Sequence, residues 1–253
     1  MSFDDPCSIL GIPFTPLDLD GAVERIRAMV RSGRSHHVVL ANAHTVNCAC
    51  VDPACHAALR RAALVLRDGV GVELAGALRR RSMRHNFVGT DFIPHLLTRL
   101  ADPEVRVFLF GGQPGVGDAA AGVLRARCDR IRVAGVRHGY EPGGVVIDSI
   151  RTARPDVLLV ALGNPLQERW IDQHLERIGV PVAIGVGALF DYLAGRVPRA
   201  PRWMRRARAE WVFRLVVEPR RLWRRYLQGN VQFLWRVMRE GSANGAPSHE
   251  HVG

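Results

Sequence analysis

Asp68 is the residue of this sequence whose position best suits acid–base chemistry. It follows an apolar run at residues 62–66, which has the length of a β-strand, and it precedes Gly69. In an open α/β sheet, a carboxylate at such a strand end faces the crevice where ligands bind. There it can take a proton from an attacking hydroxyl group as a general base. An Asp in a Gly turn fits the same pattern, and the spacing leaves both interpretations open.

A glycine-rich loop could bind phosphate. The apolar run 105–110 is followed by Gly-Gly-Gln-Pro-Gly-Val-Gly at residues 111–117, where a helical segment begins. Backbone N–H groups and the dipole at a helix N-terminus hold phosphate, so Gly112 is a candidate contact for a nucleotide diphosphate. The pattern matches neither GxGxxG nor a P-loop, and glycines that permit a tight turn explain it equally well.

Other polar residues also lie just beyond apolar runs: Asn42, Thr90, Asp91, Gln167 and Glu168. Each of the last four has a structural explanation as well. Thr90 or Asp91 can cap the helix that follows, and polar or acidic residues are favoured in the first turn of a helix. We nevertheless expect Gln167 and Glu168 to lie where their side chains can face a ligand.

The cysteines do not indicate a disulfide framework or a metal centre. Their number is five, which is odd for a chain of 253 residues. Cys48, Cys50 and Cys55 lie near His44 and His56, but the spacing lacks the paired CxxC units of a zinc module. We therefore expect a reducing compartment, no metal ligands and no bound cofactor.

Six short apolar runs must position these residues, and each has the length of a strand. They are residues 37–41, 62–66, 105–110, 131–136, 157–162 and 182–186. Segments with helical character lie between them, at residues 45–61, 72–80, 92–100, 117–127 and 165–178. Alternating strands and helices predict an α/β fold, a mostly parallel sheet with helices on both faces. The loops after the strands then meet at one edge of the sheet, which is the expected active site.

The excess positive charge is concentrated near the C-terminus. Residues 196–240 contain thirteen arginines and three acidic residues, a net charge of +10, whereas the whole chain carries +11. Four of the five tryptophans lie in the same segment. Interleaved Trp and Arg with apolar residues is typical of an interfacial helix on anionic lipid, although a basic helix packed by its Trp face would look similar.

We therefore divide the chain into a catalytic α/β core at residues 1–195, a C-terminal appendage at residues 196–240 and a disordered tail at residues 241–253. The sequence has no apolar stretch of about 18 residues without charge. Asp4 and Asp5 stand where a secretory signal would carry basic residues. The expected location is cytosolic, peripheral to a membrane and not spanning it.

Many short blocks of the chain, in order, resemble those of the WecG/TagA/CpsF family of bacterial glycosyltransferases. In the core the blocks are Arg67-Asp68-Gly69-Val70-Gly71, Gly89-Thr90-Asp91, Phe110-Gly111-Gly112-Gln113-Pro114-Gly115, His138-Gly139-Tyr140, Gly163-Asn164-Pro165-Leu166-Gln167-Glu168, Gly185-Val186-Gly187, Phe190-Asp191 and Ala194-Gly195. In the appendage they are Arg199-Ala200-Pro201, Glu210-Trp211, Glu218-Pro219-Arg220-Arg221-Leu222 and Arg225-Tyr226-Leu227. The similarity covers roughly residues 8–240.

This resemblance implies a Rossmann-like core and inverting transfer of a hexosyl group from a UDP-sugar to an undecaprenyl-diphosphate-linked sugar. The transfer would occur at the inner membrane face, in the synthesis of teichoic acid, enterobacterial common antigen or exopolysaccharide. Asp68 would be the catalytic base. The donor or acceptor would be bound by residues of the matching blocks and loops: Asn42, Thr90, Asp91, Gly112, Tyr140, Gly163, Gln167 and Gly187. Some members have a Thr where this chain has Leu40.

The resemblance also gives a role to the appendage. Arg214, Arg221 and Arg224 match arginines that would close over the donor's phosphates. Their spacings of seven and three residues would bring them to one face of a continuous helix, unless Pro219 begins a new helix and changes the register. Arginines could stabilise the charge on the leaving UDP, and the lack of a DxD pair agrees with metal-independent transfer.

Three alternatives remain. A basic segment with interleaved aromatic residues suits nucleic acid, but no known DNA or RNA module is recognisable and we expect no nucleic-acid partner. An NAD-type oxidoreductase shares the α/β pattern, but Arg137 and His138 stand where a ribose-binding acid would be expected. A paralogue that has lost turnover would keep the same fold. The oligomeric state is left open, with a homo-oligomer as one option.

Overall fold

The computed structural model describes residues 7–80, 83, 85–101, 104–128, 130–206 and 209–243. The side chains of Arg202, Arg206, Arg221 and residues 241–243 lie outside this description, as do residues 244–253, which make up most of the predicted disordered tail.

The strands and helices alternate along most of the described chain. The strands are β1 (Cys7–Ile9), β2 (Ile12–Phe14), β3 (His36–Ala41), β4 (Leu64–Arg67), β5 (Val105–Gly111), β6 (Ile131–Arg137), β7 (Val157–Ala161) and β8 (Val182–Gly185). The helices of the core are α1 (Leu19–Arg31), α2 (Ala43–Ala49), α3 (Pro53–Arg61), α4 (Val70–Leu78), α5 (Gly89–Leu100), α6 (Val116–Arg127), α7 (Gly143–Ala153), α8 (Leu166–Ile178) and α9 (Leu189–Leu193). Those that follow are α10 (Arg202–Arg206), α11 (Glu210–Val217), α12 (Pro219–Trp223), a π-helical turn (Arg224–Gln228) and α13 (Gly229–Ala243).

Six strands form one parallel sheet in the order β4-β3-β8-β7-β5-β6, and β1 and β2 form a separate antiparallel hairpin. All six apolar runs predicted as strands belong to the parallel sheet. The predicted α/β, Rossmann-like fold is therefore confirmed, and the loops that follow the strands meet at one edge.

Helices cover both faces of the sheet. Alternate strand residues point to opposite sides, so Val38 and Leu40 pack with α1, α5, α6 and α9. Val39 and Ala41 pack on the other face with α2, α3, α4 and α13, and Leu158 and its neighbours pack there with α7 and α8. Because both faces are buried, the strands are apolar without alternation, as the sequence indicated.

The prediction of one helical segment at residues 45–61 is wrong. The structure has α2 and α3 instead, separated at residues 50–52. Pro53 occupies the first turn of α3, and the Asp52 side chain accepts hydrogen bonds from the N–H groups of Ala54 and Cys55. A proline and an Asp cap start a helix and do not continue one, which explains the break.

The end of the appendage packs into the core. Pro219 begins α12, so the chain from Arg214 to Arg224 is not one continuous helix. In α13, Phe233 and Val237 are buried in the same cluster as α2, α4 and the β1–β2 hairpin. The last helix is therefore held against the domain by apolar contacts. Among the helices of the described residues, none has the length and apolar character needed to cross a membrane.

Candidate active site

The loops at the carboxyl edge of the sheet bring Asn42 and Asp68 together. Asn42 follows β3 and Asp68 follows β4, the strand paired with β3. The Asp68 N–H donates to the Ala41 carbonyl over 2.9 Å, and the Gly69 N–H donates to Asn86 Oδ1 over 2.6 Å. These bonds fix the backbone on both sides of the carboxylate.

The Asp68 carboxyl is in a setting suited to a general base. Burial raises its pKa to about 6, and a hydrogen bond from the Asn42 amide and the positive charge of Arg225 oppose that rise. Asp68 nevertheless keeps partial solvent exposure at the edge of the sheet. A carboxylate of this kind is ionised at neutral pH but basic enough to accept a proton from a hydroxyl group.

Asn42 is oriented by the first turn of α2. Its Oδ1 accepts from the N–H groups of His44 and Thr45 over 3.0 and 3.1 Å, in a capping box with Thr45. Because the carbonyl oxygen is occupied by these donors, the NH2 group is the part left to bond Asp68. Asn42 thus caps a helix and donates to the candidate base.

A network of amide side chains connects this turn to the loops after β7 and β8. Asn164 Nδ2 donates to the Thr45 hydroxyl, and Gln167 Nε2 lies 3.4 Å from Asn164 Oδ1. Gln167 Oε1 accepts from the N–H groups of Gly163 and Gly187 over 3.2 and 3.0 Å. The Gln167 side chain, 2% exposed, therefore ties the two loops together.

Glu168 adds a buried carboxyl to this network. It is 1% exposed, and one oxygen accepts from Gln167 Nε2 over 2.8 Å. The other oxygen has no hydrogen-bond partner among the described atoms. Burial raises the pKa of Glu168 to about 7, a rise that the Gln167 bond and a backbone bond reduce. Its position in the first turn of α8 was expected, whereas its complete burial was not.

The appendage contributes two arginines to the site. The Arg214 guanidinium lies over the Tyr192 ring, 5.4 Å from its centroid, and Arg214 and Arg225 both act on Asp68 as nearby positive charges. The Nε atoms of both arginines are buried without a hydrogen-bond partner among the described residues. Glu210, at the start of α11, is a nearby negative charge, and its effect on the pKa of Asp68 is opposite to that of the arginines.

The other two predicted arginines are placed differently. Arg224 is exposed and lies over the Trp223 ring, 5.4 Å from its centroid. Arg221 is in α12, and its side chain lies outside the described part of the structure. The sequence analysis quoted Arg225 in a matching block but did not select it as a site residue.

The glycine loop after β5 forms part of the same edge. Gly112 and Gly115 have φ angles of 71° and 78°, which a side chain would strain. A Cβ at Gly111 would lie 2.4 Å from the Ala161 carbonyl oxygen, so β5 and β7 could not pack as they do. A cavity of about 540 Å³ lies beside this loop, lined by Gly117, Arg137 and His138 among others. Tyr140, 74% exposed, follows β6 close to this cavity.

Thr90 and Asp91 hold the start of the appendage. The interpretation of either as a helix cap is wrong, because Val88 is the N-cap of α5 and no side chain caps it. Arg199 instead donates to the Thr90 hydroxyl over 3.0 Å and pairs with Asp91 over 2.5 Å. Arg205 lies 3.6 Å from the same carboxylate. Their binding of substrate stays a prediction.

The structure also shows three polar residues that sequence reasoning missed: Thr45, Asn164 and Arg225. Thr45 could have been found from the Asn-x-x-Thr spacing of a capping box. Asn164 lies in the quoted block between Gly163 and Pro165, but its bond to Thr45 spans 119 residues of sequence. Within the described residues no group of three or more His, Cys, Asp or Glu side chains is arranged to hold a metal ion.

Comparison with known proteins agrees with the family resemblance seen in the sequence. The model of the glycosyl transferase WecG/TagA/CpsF family matches residues 7–246. Three relatives carry the name N-acetylglucosaminyldiphosphoundecaprenol N-acetyl-beta-D-mannosaminyltransferase. The protein of Bacillus subtilis (strain 168) is 34% identical over 164 residues, and the alignment spans 64% of each chain. That of Bacillus spizizenii is 32% identical over 78% of this chain and 77% of the relative. That of Staphylococcus aureus (strain MRSA252) is 30% identical over 90% and 91%.

Proposed function

Because the chain belongs to the WecG/TagA/CpsF family of glycosyl transferases, we propose that it moves a hexosyl group from a UDP-sugar to a sugar linked to undecaprenyl diphosphate. The names of the relatives make N-acetylmannosamine the first donor sugar to test and N-acetylglucosamine the first acceptor sugar. The transfer inverts the anomeric centre and needs no metal ion. The observation that carries the proposal is the Asp68 carboxyl at the edge of the sheet, with the positive charges of Arg214 and Arg225 nearby.

Asp68 is the base of the proposed reaction. It takes the proton from the acceptor hydroxyl as that oxygen bonds to the anomeric carbon of the donor, and the bond from this carbon to UDP breaks. With a pKa raised to about 6, Asp68 is ionised in most molecules at pH 7. The transfer rate should therefore fall as the pH drops through about 6, since protonated Asp68 cannot accept the proton.

Two half-buried arginines would support the departure of UDP. A diphosphate leaving group gains negative charge as the bond breaks, and guanidinium groups bind phosphate oxygens through charge-assisted hydrogen bonds. Arg214 and Arg225 place two positive charges near one carboxylate, with their Nε atoms unpartnered among the described residues. The free Nε donors of these arginines could bind oxygens of an anionic ligand. In the glycine loop the Gly112 N–H is already bonded to the Ala161 carbonyl over 3.0 Å, so it is not a free donor for the phosphates.

We also propose that the protein attaches to the inner face of the membrane through its appendage. Several of its large apolar side chains are exposed, among them Trp203, Trp235 and Val216 at 68, 51 and 74%. Arginines lie between them. Each arginine close to an anionic lipid surface contributes about 1 kcal/mol to binding, so a handful would hold the enzyme at its lipid-linked acceptor.

A transfer assay tests the proposal directly. Purified protein is incubated with single UDP-sugars and a short-chain polyprenyl-diphosphate-N-acetylglucosamine, with a chelator present, and both UDP release and acceptor mass are followed. We expect the acceptor to gain the mass of one sugar with UDP-N-acetylmannosamine. Sugar transfer only after addition of a divalent metal would refute metal independence, and failure to bind UDP would refute the nucleotide donor.

A further inference from the structure

A buried arginine ends an otherwise apolar strand next to the candidate base. Arg67, the last residue of β4, is 3% exposed, and the preceding residues 64–66 are apolar and buried. Burying a guanidinium group is costly unless it is paired and hydrogen-bonded. The bonds that Arg67 makes therefore indicate why an arginine occupies this position.

The Arg67 side chain binds the α4–α5 loop, of which residues 79–80, 83 and 85–88 are described. Its Nε donates to the His85 carbonyl over 3.1 Å, and its Nη2 donates to the Met83 carbonyl over 3.2 Å. Its Nη1 donates to Glu73 Oε2 in α4 over 2.8 Å. The planar guanidinium group can reach both carbonyls at once because its donors lie in a fixed fork. Arg67 thus holds the α4–α5 loop against the end of β4.

The same loop is bonded to the backbone on both sides of Asp68. Before Asp68, the Arg67 carbonyl accepts from the Phe87 N–H over 2.8 Å. After Asp68, the Gly69 N–H donates to Asn86 Oδ1 over 2.6 Å. Since Asp68 lies between these two bonds, a shift of the α4–α5 loop would also move the backbone of the candidate base.

The Asn86 bond takes the place of a helix cap at this turn. Gly69 is the N-cap residue of α4, with a φ angle of 95° that favours glycine. As a glycine it has no side chain that could accept from the first turn of the helix, which is how most N-caps fix the backbone. The Asn86 amide, supplied by the α4–α5 loop, fixes the backbone after Asp68 instead.

We propose that Arg67 and Asn86 are positioning residues that fix the Asp68 carboxylate for proton transfer. Arg67 holds the α4–α5 loop, and the loop places Asn86 on the Gly69 N–H. Both act on the reaction through Asp68, so the inference rests on the proposed function of Asp68 as base. A misplacement of about 1 Å in an active site can lower the rate roughly a hundredfold, so loosening the loop should lower kcat.

Arg67→Lys tests the guanidinium fork. Lysine keeps a positive charge for Glu73, so the fold should be retained, but its single ammonium group does not match both loop carbonyls. We expect kcat for sugar transfer to fall roughly ten- to a hundredfold while the KM for the UDP-sugar stays close to that of wild type. Arg60→Lys, at an exposed position of α3, is the matched control and should leave kcat unchanged.

Substitution of Asn86 tests the bond to Gly69. Asn86→Ala removes the acceptor oxygen and should lower kcat with little change in KM, as in Arg67→Lys. Asn86→Asp restores an acceptor oxygen at the same place, so it should recover most of kcat when the rate is measured at pH 8. Equal loss of kcat in Asn86→Ala and Asn86→Asp would contradict the role of this bond.

Hydrogen exchange of the Gly69 amide is a measurement that does not depend on turnover. In 15N-labelled protein this amide should exchange about tenfold faster, or more, in Arg67→Lys and Asn86→Ala than in wild type, because its acceptor is displaced or lost. The Ile184 amide, in the central strand β8, should keep its rate. Equal acceleration of both amides would indicate general destabilisation and overturn the inference.

Two further outcomes separate this inference from the proposed function. A wild-type kcat in a variant whose Gly69 amide exchanges faster would show that the reaction does not need the bond, and unchanged Gly69 exchange in Arg67→Lys would show that Arg67 does not hold the loop. Either result refutes the positioning role alone. A wild-type protein that transfers no sugar would refute the proposed function instead.

Discussion

At the scale of single residues, the site depends on two carboxyl groups that burial keeps less acidic than in water. Burial raises the pKa of Asp68 to about 6, and the Asn42 amide and two arginines limit that rise. Burial raises the pKa of Glu168 to about 7, and the Gln167 amide is its side-chain hydrogen-bond partner. The difference separates their roles, since only Asp68 is largely ionised at neutral pH.

Replacing Asp68 should abolish most transfer without unfolding the protein. Asp68→Asn keeps the size of the side chain but cannot accept the acceptor's proton, and loss of a general base costs about 10² to 10⁴-fold in rate. The rate is measured as UDP release under saturating donor, with circular dichroism and thermal melting to confirm the fold. Wild-type-like turnover in a folded Asp68→Asn variant would remove Asp68 from this role.

Replacing Glu168 should change stability in a pH-dependent way. A folded-state pKa raised above the unfolded value means that the folded state loses stability as the pH rises from about 4.5 through about 7. Glu168→Gln cannot ionise, so it should be more stable than wild type at pH 8, by on the order of 1–3 kcal/mol, and similar at pH 5. Urea unfolding at both pH values measures this. A difference of the same size at pH 5 would show that ionisation is not the cause.

At the scale of elements, each helix and loop places one or two groups at the edge of the sheet. The six strands were predictable because continuous apolar runs of strand length leave few alternatives. The site edge followed from them, since the carboxyl ends of parallel strands meet. The hydrogen bonds from Asn164 to Thr45 and from Asn47 to Gly229 were not predictable, because they join residues 119 and 182 positions apart.

The inward position of Arg225 was equally inaccessible to sequence reasoning. A helical wheel assumes 3.6 residues per turn, and it fails when one turn is π-helical. The break between α2 and α3 could have been found from Asp52-Pro53, a cap followed by a proline at the first helical position. Local signals of this kind were present in the sequence, whereas the long-range contacts were not.

Gln167 provides the test at the scale of elements, since its side chain joins the loops after β7 and β8. Gln167→Ala leaves the N–H groups of Gly163 and Gly187 without their partner, which should cost roughly 1–3 kcal/mol of stability. UDP binding should weaken as the loops loosen. Urea unfolding and calorimetric titration with UDP measure the two effects. Gln173→Ala, at an exposed position of the same helix, is the control, and equal results for both variants would contradict the role of Gln167.

Over the whole molecule, some side chains of the appendage contact the core and others are exposed to solvent. Phe233 and Val237 pack into the core with α2 and α4, and Asp91 pairs with Arg199 and Arg205 at the other end. Removal of residues 196–253 would therefore expose apolar core surface and alter the site at the same time. Substitution of exposed side chains separates membrane attachment from these internal contacts.

Membrane attachment should depend on the outward tryptophans. Burial of a large apolar side chain contributes roughly 1.5–3 kcal/mol, so the double variant Trp203→Ser with Trp235→Ser should lower the affinity for anionic vesicles at least tenfold. Val51→Ser removes an exposed apolar residue outside the appendage and is the matched control.

Cosedimentation with vesicles containing phosphatidylglycerol measures binding. Vesicles of phosphatidylcholine alone should bind the protein weakly, because they offer the arginines no net negative charge. Cosedimentation of the double variant at the wild-type level would show that these tryptophans do not enter the lipid, and equal binding to both kinds of vesicle would show that the arginines do not contribute.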